Sequence, residues 1–398
     1  MTVAPQTTAR RAPVAPRWRY QRRLWAPRNA VFWLFAGLVA LAGVFTLVDH
    51  ALFVMSAPAA SALSWALLAL YIVPVVLVVR ALDLYEREPT SLMVAAFVWG
   101  ATVAIAFSSI ANVAWGDVIT RLGGVEFSAE WSAAMTAPVI EEIYKYLGVI
   151  VIYLIARTEI DDLMDGFVFG ALVGLGFSVV EDVYYFMGPF GGDITGVLQG
   201  FWVRVIASGL YGHVLYTGLS GIGLAYFVTH RDDRPFARRV LVALSLLLLA
   251  MAAHFFWNAP WFWAELPLLV ATTLKGMPLL LFVVLAVRLA RRREHRWLRV
   301  ALEREVDRGG VSQAEVDVLA DPGRRKALRK ATRRAAGKDA ERLLSRLHRE
   351  QINLAMVATR VDDPVAPDLL KQRALCESLR TELHRRSFPP PSTEGSAG

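Results

Sequence analysis

Apolar residues run almost unbroken through eight stretches of the first 290 positions, roughly 30–48, 59–80, 91–113, 131–157, 166–188, 200–229, 240–262 and 267–290. Each is near the twenty or so residues that a helix needs to cross a bilayer. The pattern predicts an all-α, polytopic transmembrane helical bundle of about eight spans. Lys275, Gly276 and Pro278 interrupt the last stretch and make it the weakest of the set. Small residues recur four apart: Gly166, Gly170 and Gly174 on the fifth span, Ser208 and Gly212 on the sixth. Such spacing lets helix backbones approach closely in lipid, and packing alone accounts for it.

Beyond Ala290 the pattern changes to alternating charge with Leu, Ala and Val at helical spacing, broken at Gly309-Gly310, at Pro322-Gly323 and between Pro364 and Pro367. It predicts a small bundle of helices. The expected organisation is therefore a basic tail (1–28), a membrane domain (29–290), a helical C-terminal region (291–386) and a disordered end (387–398) rich in Pro, Ser and Gly.

Charge sharpens the topology. Residues 1–28 carry seven Arg and no acid, residues 29–290 carry 12 Lys and Arg against 19 Asp and Glu, and residues 291–398 carry 24 against 16. Basic ends around an acidic, apolar middle predict a multi-pass protein of the cell membrane with both termini cytoplasmic, facing anionic lipid. With the N-terminus inside, Arg121 is the only basic residue left to the expected outer loops. The C-terminal basic residues read as solvated helical charge, and no nucleic acid is expected. The single cysteine, Cys376, excludes an intrachain disulfide and a cysteine metal cluster.

Against this apolar background the few buried charges stand out. Glu141 and Glu142 sit side by side inside the fourth span, where an ionisable group costs a few kcal/mol or more unless paired or hydrated. Lys145 is one turn on, placed to neutralise one carboxylate and leave the other to act. Counted from the outer face at about 1.5 Å per residue, the pair lies roughly 15 Å down, His213 roughly 20 Å, His254 roughly 12 Å and Glu181-Asp182 roughly 10 Å. Four helices thus aim polar groups at one outer-to-middle layer. A carboxylate there can take a proton from water, with imidazole to orient that water and the amide of Asn258, one turn from His254, to steady a developing oxyanion. Glu141, His213 and His254 alternatively offer oxygen and nitrogen ligands that suit zinc, and a metal-free route is equally open. Glu181-Asp182 also fits simple pairing with Arg204.

These residues resemble the PrsW family of intramembrane proteases, related to the type II CAAX prenyl endopeptidases and the bacteriocin-processing membrane proteases. The matching stretches are LDLYEREP (82–89), APVIEEIYKYLG (137–148), DGFVFGALVGLGFSVVEDVYY (165–185), GHVLYTGLSGIGLAY (212–226) and HFFWN (254–258). The resemblance implies an endopeptidase, labelled a metalloprotease, that cuts a single-span membrane protein such as an anti-sigma factor. It implies Glu141 or Glu142 as general base, His213 as partner in activating water, His254 and Asn258 at the substrate carbonyl, and Glu181 in support. Asp182 follows Glu181 where many relatives are expected to carry Asn. The depth of the cluster predicts cleavage near the outer face. The rival readings are a proton- or cation-coupled transporter, disfavoured because no repeat is evident, and a non-catalytic scaffold of the same fold.

Overall fold

A computed structural model describes residues 24–82, 88–360 and 363–387. The N-terminal residues 1–23, positions 83–87 of the LDLYEREP stretch and the C-terminal 388–398 lie outside the described residues, and with them most of the basic tail and of the expected disordered end. The described chain is all-α and polytopic, with no strand. It divides into two compact units at Ala290/Arg291.

The membrane unit begins with α1 (Ala30–Ser56) and α2 (Pro58–Leu82). Both carry rows of exposed Leu and Val, such as Leu41, Leu47, Leu70 and Leu77, as lipid-facing helices should. α3 (Thr90–Trp99) passes through a π-helical turn (Gly100–Ala104) into α4 (Ile105–Gly123), making one rod longer than the expected third span. α5 (Val125–Ile155) carries Pro138 and, one turn later, the glutamate pair. α6 (Leu163–Met187) starts at a capping box of Asp162 and Asp165 and is the buried centre of the unit. α7 (Ile194–Phe201), α8 (His213–Thr229), α9 (Phe236–Asn258) and α10 (Leu268–Val306) complete it, α10 running on into the second unit. Among the described residues six helices are long and apolar enough to cross a membrane. α5 carries three charged residues at its middle, and α8 has 17 residues.

Two expectations need correction. The sixth span is not one helix: α7 continues as a π turn (Trp202–Ala207), breaks, forms one 3-10 turn (Gly209–Tyr211) and restarts at His213. Ser208 and Gly212 therefore sit in the break rather than on a packing stripe. The Ser208 hydroxyl donates to the carbonyls of Val203 (2.6 Å) and Arg204 (3.1 Å) at the end of the π turn. The eighth span is uninterrupted, because Pro278 lies inside a continuous α10.

The glycines of α6 do pack as their spacing predicts. A Cβ on Gly166, Gly170 or Gly174 would lie 2.3, 2.2 and 2.2 Å from the carbonyl oxygens of Gly221, Thr217 and His213. On the opposite face, a Cβ on Gly176 would lie 2.0 Å from Phe97 O. Bare backbone on both sides lets α6 seat α8 at van der Waals distance, and the last of the three contacts is the backbone of His213 itself.

In the second unit, α12 (Pro322–Arg360) and α13 (Pro367–Ser387) pack around Leu347, Leu354, Leu369, Cys376 and Leu379, and α11 (Gln313–Leu319) lies against α12. Arg373 forks onto the fully buried Glu305 at 2.8 and 3.0 Å. His348 on α12 is pushed down to about 4 by burial and by the nearby Arg325 and Arg329. An unfolded histidine titrates near pH 6.5, so between about 4 and 6.5 the unfolded chain takes a proton that the folded unit refuses. Stability is fully present above that window and falls by about 3 kcal/mol as pH drops through it. Hydrogen exchange of α12 and α13 in the full chain, corrected for intrinsic rates, should show faster opening at pH 5 than at pH 7. His348→Leu should flatten that difference.

Candidate active site

The break before α8 is what forms the site. It brings His213 to a helix start in the middle of the membrane unit, opposite the glutamates of α5, and leaves Ser208, Gly209 and Gly212 on a cavity wall. Irregular backbone at membrane depth is tolerated only where it is buried in protein or lines such a cavity.

Lys145 is the hub. Its ammonium, with no exposed surface, donates to Glu142 Oε1 at 2.6 Å and to Glu141 Oε2 at 3.4 Å, and stands 2.7 Å from His213 Nδ1. It also lies 4.1 Å from the centre of the Phe177 ring. A lysine cannot accept a proton bond while charged, so His213 Nδ1 is the acceptor and Nε2–H the donor, and Nε2 meets Glu181 Oε2 at 3.0 Å. The lysine thus sits between both carboxylates and the imidazole, as a buried charge requires.

The two glutamates are not equivalent. Glu142 is fully buried and tied on every side: Lys145, the Thr217 hydroxyl at 3.3 Å on Oε2, and His254 Nδ1 at 3.1 Å on Oε1. Glu141 receives Asn112 Nδ2 at 3.1 Å on Oε1, and it lines a cavity of about 680 Å³ from which Glu142 is absent. Its Oε2 faces His213 Nδ1 at 4.0 Å and His254 Nε2 at 3.9 Å, too far for direct hydrogen bonds. His254 stacks on Tyr216 with ring centres 4.9 Å apart, which fixes its plane.

The remaining predicted residues lie at the edge of this centre. Glu181 and Asp182 both pair with Arg204, the simple ion-pair arrangement, while Glu181 also holds His213. Arg204 in turn covers the Tyr185 ring at 3.8 Å. Asn258 lines the cavity, but its amide donates to Ala133 O at 3.2 Å instead of pointing to the glutamates. Sequence reasoning missed Asn112 and Thr217. Thr217 is one turn from His213 on the same face, and Asn112 is a lone amide within an apolar run; both were visible signals. It also read Lys275 as a flaw in a span. The Lys275 ammonium instead donates to Trp257 O (2.9 Å) and Ala259 O (2.5 Å) and caps the end of α9 beside Asn258.

Glu141, His213 and His254 present one carboxylate oxygen and two imidazole nitrogens that all lie within 4.8 Å of one another. By residue type that donor set suits zinc, but His213 already accepts from Lys145 at Nδ1 and donates to Glu181 at Nε2, so an ion held there would have to displace one of those bonds.

The fold and the site define a polytopic membrane protein with a charged, hydrogen-bonded centre opening onto a polar-lined cavity. The sequence model described as PrsW family intramembrane metalloprotease matches residues 88–289, just over half of the chain and every site residue named above. This chain belongs to the PrsW family. It is similar to Protease PrsW of Geobacillus kaustophilus (strain HTA426), with 29% identity over 105 residues, covering 26% of this chain and 44% of that relative. The aligned part thus spans less than half the length of the relative. No solved structure matches the chain.

Proposed function

We propose that this protein is an intramembrane endopeptidase that hydrolyses a peptide bond in a single-span membrane protein near the outer face. The observation that carries the reading is the asymmetry of the pair: Glu141 borders the cavity, while Glu142 is locked to Lys145, Thr217 and His254. Glu141 takes the proton of the attacking water and passes it to the leaving amine. The Lys145 ammonium stands 3.4 Å from Glu141 Oε2. His254, whose Nδ1–H donates to Glu142, presents the lone pair of Nε2 opposite Glu141 Oε2 to orient the water, while His213, bonded at Nε2 to Glu181 and at Nδ1 to Lys145, holds the lysine and the glutamates in register. Asn258 joins His254 when its amide leaves Ala133 O.

A divalent ion held by Glu141, His213 and His254 would supply Lewis-acid activation of water. Lys145 already sets a positive charge 2.7 Å from His213 Nδ1, and like charges so close repel strongly in a low-dielectric site. Cleavage by the purified full chain is therefore expected to persist after exhaustive chelation. Loss on chelation with recovery by added zinc would transfer water activation to the ion.

The basic loops and the basic region after Ala290 support an orientation with both termini in the cytoplasm, at anionic lipid, in the cell membrane. In that orientation α4 ends, and α5 begins, at the outer face, and Asp117, Ser128 and Ser132 from those ends line the cavity. We take an anti-sigma-factor-like protein as the substrate class to test first; family membership favours a peptidase over a transporter. Glu141→Gln expressed in native membranes should trap uncut substrates that wild type processes. If no membrane protein accumulates, the peptidase reading fails.

A further inference from the structure

On the α4 wall of the cavity, beside Glu141, two polar atoms are buried without a partner: Ser108 Oγ and Asn112 Oδ1. Ser108 is 1% exposed. Several helical hydroxyls elsewhere in this fold return to the carbonyl four residues back, as Ser64 does to Ala60 (2.8 Å), Thr102 to Val98 (2.6 Å) and Thr120 to Gly116 (2.9 Å). Ser108, just beyond the π turn, makes no such bond. Asn112 spends its amide hydrogens on Glu141 Oε1 and leaves its carbonyl oxygen free. A buried polar atom without a partner is costly, so two on one wall call for a ligand with complementary groups.

Their chemistry points to that ligand: a hydroxyl that can donate and an amide oxygen that can accept. Residues four apart on a helix face lie roughly 5–6 Å from each other. A hydroxyl donor and an amide acceptor side by side on one helix face complement a peptide C=O and a peptide N–H on one edge of an extended segment. One turn further, Gly116 keeps the wall low: the nearest atom to a Cβ there would be Ser132 Oγ, at 3.1 Å.

We propose that Ser108 and Asn112 form a backbone-binding edge that holds the substrate extended alongside Glu141, so that main-chain hydrogen bonds provide much of the recognition. The proposal rests on the peptidase reading above. The edge takes an unwound segment and not a helix, whose amide groups are already paired. Main-chain recognition of this kind gives affinity with tolerance of side chains.

The test uses the full chain in liposomes and a quenched-fluorescent single-span peptide that it cleaves. The amide N–H groups within three residues of the scissile bond are replaced one at a time by ester oxygens. One ester is expected to lower kcat/KM roughly three- to tenfold in wild type and to cause no further loss in Asn112→Ala. Ser108→Ala, which leaves Glu141 and its partners intact, is expected to raise KM by a similar factor with kcat held, and it carries the test alone if Asn112→Ala proves inactive. Ester penalties unchanged by Asn112→Ala, or KM unchanged by Ser108→Ala, overturn the proposal and leave the peptidase reading standing. A wild type that cleaves no such peptide overturns both.

Discussion

Lys145→Met is expected to destabilise the membrane unit by about 3–5 kcal/mol, the cost of leaving a buried charge without its partner. The lysine is the cation that meets both glutamates, and Glu142 has no exposed surface through which water could replace it. Thr217 and His254 would be left to satisfy a fully buried carboxylate. Thermal unfolding in detergent and recovery from the membrane fraction both measure the loss. The double variant Lys145→Met/Glu142→Gln removes charge and counter-charge together and should regain much of the stability. A single variant as stable as wild type would mean that the glutamates do not depend on this ammonium.

Glu141→Gln and Glu142→Gln should differ in kind. Glutamine at 141 keeps an oxygen for Asn112 but loses the proton acceptor, so cleavage should fall on the order of 10²–10⁴-fold while unfolding is little changed. Glutamine at 142 strips Lys145 of its closer carboxylate and loosens the hold on His254 and Thr217. It should lower stability first, and activity largely in proportion to the folded fraction. Cleavage assays set against melting curves separate the two. A stable, inactive Glu142→Gln beside an active Glu141→Gln would reverse the assignment.

Much of this architecture was legible in the sequence because membrane helices are written in long apolar runs, and charges within them are costly enough to stand out. Glu141, Glu142, Lys145, His213 and His254 were conspicuous on that ground, and the structure brings all five into mutual contact range. The break at Ser208–Gly212 was hidden because small residues four apart serve close packing and helix interruption equally well. The unequal roles proposed for the glutamates were hidden for another reason. Neighbours on a helix point about 100° apart, and which of them meets a cavity depends on α4, α8 and α9, far away in sequence. Asn112 and Thr217 are neutral and cheap to bury when paired, so neither stood out beside the charges. Lys275 looked like a defect because its partners, the carbonyls of Trp257 and Ala259, come from a different helix end.

The most direct test of the central claim is mass spectrometry of a single-span reporter incubated in liposomes with the wild-type full chain, with Glu141→Gln as control. Glu141 lines a cavity walled by α4 from Ile105 to Asp117, by the start of α5 and by the ends of α6 and α9, and in the proposed orientation these last three lie toward the outer side. The account predicts one principal cut in the outer third of the reporter's span, absent with Glu141→Gln. An intact reporter with wild type, or the same cut with Glu141→Gln, would contradict it.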